Sequence, residues 1–356
     1  MNARYECPGL QDRCKVIAHY LWLDGNQNMR YKTKVQKTII FDKWNADGSS
    51  TFQAGIESSE IVIKPVKCVK INPKYFNATN VFNESNQVYI VLCDTYDIND
   101  KPLKSNRRSD ALQIFKKCKD QEIMFGLEQE YYIVNSKTNQ PESFVYEQIQ
   151  NGTMNSQNYH YCFAGLHENI GRIISEEHMY ACIDAGLTIS GTNAEVGPHQ
   201  WEFQIGPVIG IDAADQLVLA NFLLIKIAEK YGMRIIYDPK PFGEKISGSG
   251  CHTNVSTKAM REDGGYNVIL TAMEKLKETC PRAIEIYGEG NKERLTGRCE
   301  TASWDNFSFS VGGRDVSVRI GYETHKNQKG YFEDRRPGAN LDPYNVTSYI
   351  ADAICN

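Results

Sequence analysis

The segment FGLEQEYYIV (125–134) carries the first residues able to do chemistry. Read as a strand, it sends Glu128 and Glu130 to one face and Leu127, Gln129 and Tyr131 to the other. Parallel carboxylates repel, and burying either costs free energy unless something compensates. The habit recurs further along the chain. Glu195 interrupts a mostly apolar strand in GTNAEV. Glu202 and Gln204 share a face in QWEFQIG, with Trp201 and Phe203 opposite. His252 and Asn254 share a face in GCHTN, as do Glu333 and Arg335 in YFEDRR. Any single pair of this kind more often marks a solvated strand face, and a lone histidine beside a glycine-rich turn is more often structural. The recurrence carries the argument. If these faces converge, they bring five carboxylates and one imidazole to one cavity. Such a donor set suits hard divalent cations of the Mg²⁺ or Mn²⁺ kind. Cysteine is absent from it, which argues against a structural zinc site.

Arginine supplies a second half. Arg282, Arg294, Arg298, Arg314, Arg319, Arg335 and Arg336 crowd one part of the chain. Guanidinium forks bind carboxylates and phosphates bidentately. Metal ligands with several arginines fit phosphoryl transfer from a nucleotide, in which both neutralise developing charge. The glycine-rich GEKISGSGCHTN is not a P-loop, since no Gly-Lys-Ser/Thr follows.

The elements that must hold these residues are mixed. Residues 15–93 read as strands, with KVIAHYLWL, EIVIK and QVYIVLC as the clearest and DGNQN as a turn. DTYDINDKPLKSNRR (94–108) reads as a linker. Helices follow: a short one capped by Ser109, one over 167–185 stopped by Gly186, one over 212–231 opened by Asp212 and stopped by Gly232, and a last one from Pro343 to Cys355 capped by Asp342. Strands are expected around 122–134, 187–196, 200–207, 249–256, 315–320 and 330–336. The class is α+β, with a small β-rich N-terminal domain and a larger C-terminal one.

Composition narrows the function. The chain has 356 residues, 41% hydrophobic and 24% charged, with a net charge of −4. That balance, without a long basic run, argues against a nucleic-acid partner. No apolar stretch is long enough to span a bilayer, and the first residues lack the apolar core of a secretory signal. The eleven cysteines are scattered and odd in number, as expected of reduced thiols in a cytoplasmic protein.

WNADGSS (44–50), FGLEQEY (125–131), GTNAEVGPHQWEFQIGP (191–207), GCHTNVSTKAMR (250–261), RLTGRCET (294–301) and KGYFEDRRPGANLDPY (329–344) resemble, in order, the signature segments of glutamine synthetases of the eukaryotic type. The resemblance implies a β-grasp domain over 12–97 and a catalytic domain over 105–356, a funnel of strands ringed by helices. It implies ligation of ammonia to glutamate with ATP, through γ-glutamyl phosphate, giving glutamine, ADP and phosphate. It implies two stacked five-membered rings, a decamer, with sites shared between neighbours. Position by position, Glu130, Glu195 and Glu202 match one metal site, and Glu128, His252 and Glu333 the other. Glu130, Ser247, Gly248, His252, Arg294 and Arg335 match substrate-binding positions. Glu128, Glu202, Asn254, Ser256, Arg314, Arg319, Tyr331 and Glu333 match ATP-binding positions. Asp47, Glu300 and Arg314 match the catalytic positions: Asp47 and Glu300 at the ammonium site, Arg314 near the transferred phosphoryl group.

The chain also departs from the family pattern. Ala46 stands where phenylalanine is usual, and Ser247 where an asparagine contacts glutamate. Cys299 replaces a histidine before Glu300, and Gly313 an asparagine before Arg314. These changes lie around the glutamate loop and the flap. Two other readings stay open on that ground: a low-activity paralogue serving as a regulatory or structural ring subunit, and a γ-glutamyl ligase using another amine.

Overall fold

The computed structural model describes residues 15–76, 86–154, 159–165 and 169–355. The chain forms two compact units. One runs to Asn106 and takes in Asp184–Gly186. The other holds Arg107–Ile183 and the chain from Leu187 onward.

The first unit is a five-stranded sheet of β1 (Val16–Leu23), β2 (Met29–Gln36), β3 (Trp44–Asp47), β4 (Glu60–Ile71) and β5 (Gln87–Tyr96), in the order β2-β1-β5-β4-β3. Alternation in β1 points Ala18, Tyr20 and Trp22 into a core with Ile63, Val91 and Cys93. The turn after β1 is built on Asp24, whose Oδ1 accepts from the backbone N–H groups of Asn26 at 2.8 Å and Asn28 at 2.9 Å. β5 reaches further than the sequence suggests. Asp94, Thr95 and Tyr96 still pair with β4, so the expected linker at 94 begins inside a strand.

The second unit centres on a sheet of β6 (Met124–Asn135), β7 (Ile189–Ala194), β8 (Gln200–Ile209), β9 (Met233–Ile236), β10 (Cys251–Ser256), β11 (Phe309–Val311), β12 (Val318–Ile320) and β13 (Phe332–Asp334). The order is β11-β12-β13-β10-β6-β8-β7, and β9 also pairs with β6. Behind β6 and β8, Leu127, Tyr131, Trp201 and Phe203 are buried, and both strands pack on the helix Ile211–Lys230. Each side chain of that size contributes about 1.5–3 kcal/mol by leaving water. This apolar back fixes β6, so that its polar face is rigid.

Helix starts differ in detail from expectation. The helix Arg107–Lys117 begins two residues before Ser109, and Arg108 in its first turn makes a bidentate ion pair with Asp215 at 2.8 and 2.9 Å. Asp212 lies within the first turn of Ile211–Lys230 rather than capping it; there it favours the helix dipole and accepts from Gln216. The helix expected over 167–185 is Ile170–Asp184, and residues 167–168 lie outside the described residues. Asp342 does cap Pro343–Cys355, accepting from the N–H groups of Tyr344 at 2.9 Å and Asn345 at 3.0 Å. A further helix, Gly265–Glu278, buries Ile269, Ala272, Met273 and Leu276. It follows a left-handed Gly264 with no side-chain cap, so it lacks the usual start signal.

Candidate active site

Strand register assembles the site. β6 lies between β10 and β8, with Glu128 opposite His252 on one side and Gln204 on the other. One rung along, Glu130 faces Glu202, which faces Asn193 on β7. On the other side, Asn254 faces Glu333, and Glu333 faces Arg319 on β12. The period of two keeps these side chains on one face. Six strands, β6, β7, β8, β10, β12 and β13, therefore contribute to this face.

Two compact clusters result. Glu130, Glu195 and Glu202 each offer an oxygen, all within 4.8 Å of one another, and so do donor atoms of Glu128, Glu202 and His252. Glu202 belongs to both. The resemblance had placed Glu333, not Glu202, with Glu128 and His252. His252 Nδ1 is indeed 3.5 Å from both Glu128 and Glu333. The Glu333 carboxylate, however, is turned to Arg335 at 2.7 Å and Arg319 at 3.2 Å. Amides steady the rest. Asn254 Nδ2 donates to Glu128 at 2.8 Å, Asn193 Nδ2 to Glu195 at 2.9 Å, and Gln204 Nε2 to both Glu202 and Asn193.

The electrostatics are those of a cation site. Burial, then the Glu195 charge, pushes the Glu130 carboxyl up to about 8, against the opposing N–H of Gly250 at 2.5 Å. Burial, then Glu128, Glu195 and Glu130, drives Glu202 well above the usual carboxylate range, and burial raises Glu195. Burial, then Arg335, depresses His252 and keeps its imidazole neutral. Buried oxygens that repel one another, with one neutral imidazole, fit a hard divalent cation such as Mg²⁺ or Mn²⁺.

Two cavities open on this face. One, about 110 Å³, is polar and is lined by Glu130, Ser247, Gly248, Arg294, Glu300 and Arg335 among others. The other, about 440 Å³, has Glu128, Asn254, Ser256 and Tyr331 beside apolar Phe125 and Ile205. Gly248 has no room for a side chain: a Cβ there would lie 2.3 Å from the carbonyl oxygen of Pro239 and 2.6 Å from Arg294 Cγ. Arg294 is anchored by Asn291 at 3.0 Å and by the carbonyls of Arg335, Arg336 and Pro337 at 2.9–3.0 Å. Burial pulls its guanidinium down to about 10. Arg335 also donates to the carbonyl of Glu300 at 3.3 Å, and Arg314 lies 3.5 Å from the exposed Glu300 carboxylate. Cys299 and Glu300 are both left-handed, at φ 52° and 59°, a costly conformation for non-glycine residues.

Asp47 belongs to the other unit. Its carboxylate accepts from the Ser50 hydroxyl at 2.7 Å, the Ser49 hydroxyl at 2.7 Å and the Ser49 N–H at 3.0 Å. Those bonds, Ser50 first, hold it down at about 2. Sequence reasoning passed over Gln200, Asn193 and Tyr132. The first two carried a signal: Gln200 is in phase with Glu202 and Gln204, and Asn193 with Glu195.

A sheet face of this kind, with two acidic clusters beside a polar and a partly apolar cavity, is a candidate cation-dependent catalytic site, and comparison with known proteins gives its family. The family profile described as "Glutamine synthetase, catalytic domain" matches residues 107–284. A protein of Acanthamoeba polyphaga mimivirus assigned as a glutamine synthetase is 47% identical over 95% of this chain and 94% of its own. The cytosolic isozyme 1-1 of glutamine synthetase from Oryza sativa subsp. japonica is 43% identical over 95% and 93%. The cryo-EM structure of Plasmodium falciparum glutamine synthetase superposes with a TM-score of 0.75 at 15% identity, covering 98% of this chain and 73% of that one, and shows the shared fold. The chain belongs to the glutamine synthetase family, eukaryotic type. It is a glutamate–ammonia ligase. Among the described residues no helix is long and apolar enough to cross a membrane.

Proposed function

We propose that the chain joins ammonia to L-glutamate with ATP through γ-glutamyl phosphate, releasing ADP and phosphate. The observation that carries this reading is the pair of acidic clusters sharing Glu202, placed between a small polar cavity and a larger cleft with an apolar wall. The small cavity suits glutamate, with Arg294 and Arg335 for its carboxylates and the Ser247–Gly248 loop for the rest. The cleft suits the nucleotide, with Asn254, Ser256 and Tyr331 along it. Mg²⁺ or Mn²⁺, held by Glu130, Glu195 and Glu202 and by Glu128, Glu202 and His252 with Glu333 adjacent, would supply positive charge against the phosphates. Arg314 and Arg319 add fixed positive charge beside the transferred group. Glu300, on its strained segment, covers the acyl phosphate and keeps water out. Glu300 and Asp47, the latter from a neighbouring subunit, attract ammonium, and one of them takes its proton. Such sharing calls for a homo-oligomer, read here as a decamer of two five-membered rings, working in the cytoplasm.

With the carboxylates and arginines of the set in place, the low-turnover and other-amine readings are not favoured. The test is phosphate release from ATP with glutamate, with and without ammonia. Ammonia-dependent release with glutamine as product is expected. Release with a polyamine but not with ammonia, or no release, overturns the reading.

A further inference from the structure

We propose that Gln200 is a positioning residue whose amide locks the loop Ser247–Gly250 against Glu130 and thereby sets the small polar cavity for its amino-acid substrate. The inference rests on reading that cavity as the glutamate site. Gln200 opens β8 and is 1% exposed. Its Oε1 accepts from the Gly197 N–H at 2.8 Å. A backbone N–H can only donate, so the amide has one orientation, with Nε2 facing the loop. There Nε2 lies 3.0 Å from the Gly248 carbonyl, 3.1 Å from Ser249 Oγ and 3.5 Å from Glu130 Oε2.

The neighbouring bonds complete a clamp. Glu130 Oε2 accepts from the Gly250 N–H at 2.5 Å, and the Tyr132 hydroxyl donates to the Ser247 carbonyl at 2.7 Å. Three side chains from β6 and β8 thus hold four successive loop residues. A Cβ built on Gly248 would meet the Pro239 carbonyl oxygen and the Arg294 side-chain stem, so this loop runs close beside the arginine. The cavity is only about 110 Å³, so a small loop displacement changes which amino acid fits. Gln200 does not line the larger cleft. Its effect therefore belongs to the amino acid and not to the nucleotide.

The experiment compares full-length wild type with Gln200→Leu and Tyr132→Phe in steady-state assays varying glutamate and ATP separately. Thermal unfolding checks the fold. Gln200→Leu leaves the Gly248 carbonyl and the Gly197 N–H without this partner, and the glutamate KM is expected to rise about tenfold, with Tyr132→Phe rising about threefold. The ATP KM should stay within about twofold and kcat within about threefold. Glutamate binding by calorimetry, with Mg²⁺ and a non-hydrolysable ATP analogue, should weaken in parallel. An unchanged glutamate KM, or an equal rise in both constants, overturns the inference, because a purely structural residue would not discriminate. If Gln200→Leu does not fold, Tyr132→Phe decides alone, and its unchanged glutamate KM overturns the inference. An active wild type with indifferent variants defeats only this inference. A wild type that neither binds nor consumes glutamate defeats both it and the functional reading.

Discussion

Ser247 and Glu130 sit against the same small cavity and invite different tests. Ser247 stands where the family pattern has an asparagine amide, and its carbonyl is already held by Tyr132. Ser247→Asn should leave that backbone bond intact while adding a longer donor. A hydrogen bond to a charged group is worth roughly 1.5–3 kcal/mol, of which a water bridge can already supply part. The glutamate KM of Ser247→Asn should therefore fall about tenfold with little change in maximal rate; an equal or higher KM would show that the loop has another solution. Glu130, raised to about 8 by burial, carries a proton near neutral pH in the metal-free protein, and burial drives Glu202 well above the usual carboxylate range. Cation binding requires the ionised forms, so uptake of Mg²⁺ at pH 7 should release about one proton or more, and less as the pH rises past 8. Calorimetry in phosphate and in Tris reads this directly, since released protons make the two apparent heats differ. Identical heats in both buffers would sink it.

At the scale of elements, the helix Ile170–Asp184 carries a second titratable group. His178 is fully buried, with Nε2 2.9 Å from the Ala220 carbonyl and its ring 4.7 Å from that of Phe203. Burial lowers it to about 4 from an ordinary 6.5. Above pH 6.5 neither folded nor unfolded chain protonates it. Between 6.5 and 4 only the unfolded chain gains the proton, so stability falls with pH by up to ~3 kcal/mol. His178→Gln should flatten the decline in thermal midpoint between pH 7 and pH 4.5, and a decline as steep as wild type would assign it to other groups. Much of the element level was legible in the sequence. The two-residue period of 128/130 and 202/204 gave the faces, and Asp342-Pro343 gave a helix start that the structure reproduces. Register was not legible. Which carboxylate meets which depends on irregularities between Phe125 and Leu127 and between Ile189 and Gly191. Spacing put Glu333 and Arg335 on one face, but it could not show that Arg319 on β12 would reach the same carboxylate. Gln200 was in phase and still passed over, because a neutral amide announces nothing until its partners are in place.

The whole molecule carries its candidate site residues in two units. Asp47 lies in one and the acidic clusters in the other. Under the proposed ring, each site takes Asp47 from a neighbour. Asp47→Ala and Glu333→Ala rings should each be inactive. Rings reassembled from a mixture should regain a fraction of wild-type activity, since some interfaces pair an intact Asp47 with an intact Glu333. Mixing verified by mass spectrometry but without regained activity would rule out sharing.

Glu202 belongs to both acidic clusters, and that has a consequence for how such a chain can diverge. A residue touching one cavity can drift and alter one ligand at a time, as Ser247 and Cys299 are placed to do. A residue common to both clusters has no such freedom, because any replacement disturbs both clusters together. The site is thus open to innovation at its margins and closed at its middle, so variation between relatives should collect in the loop and flap while the shared carboxylate stays fixed.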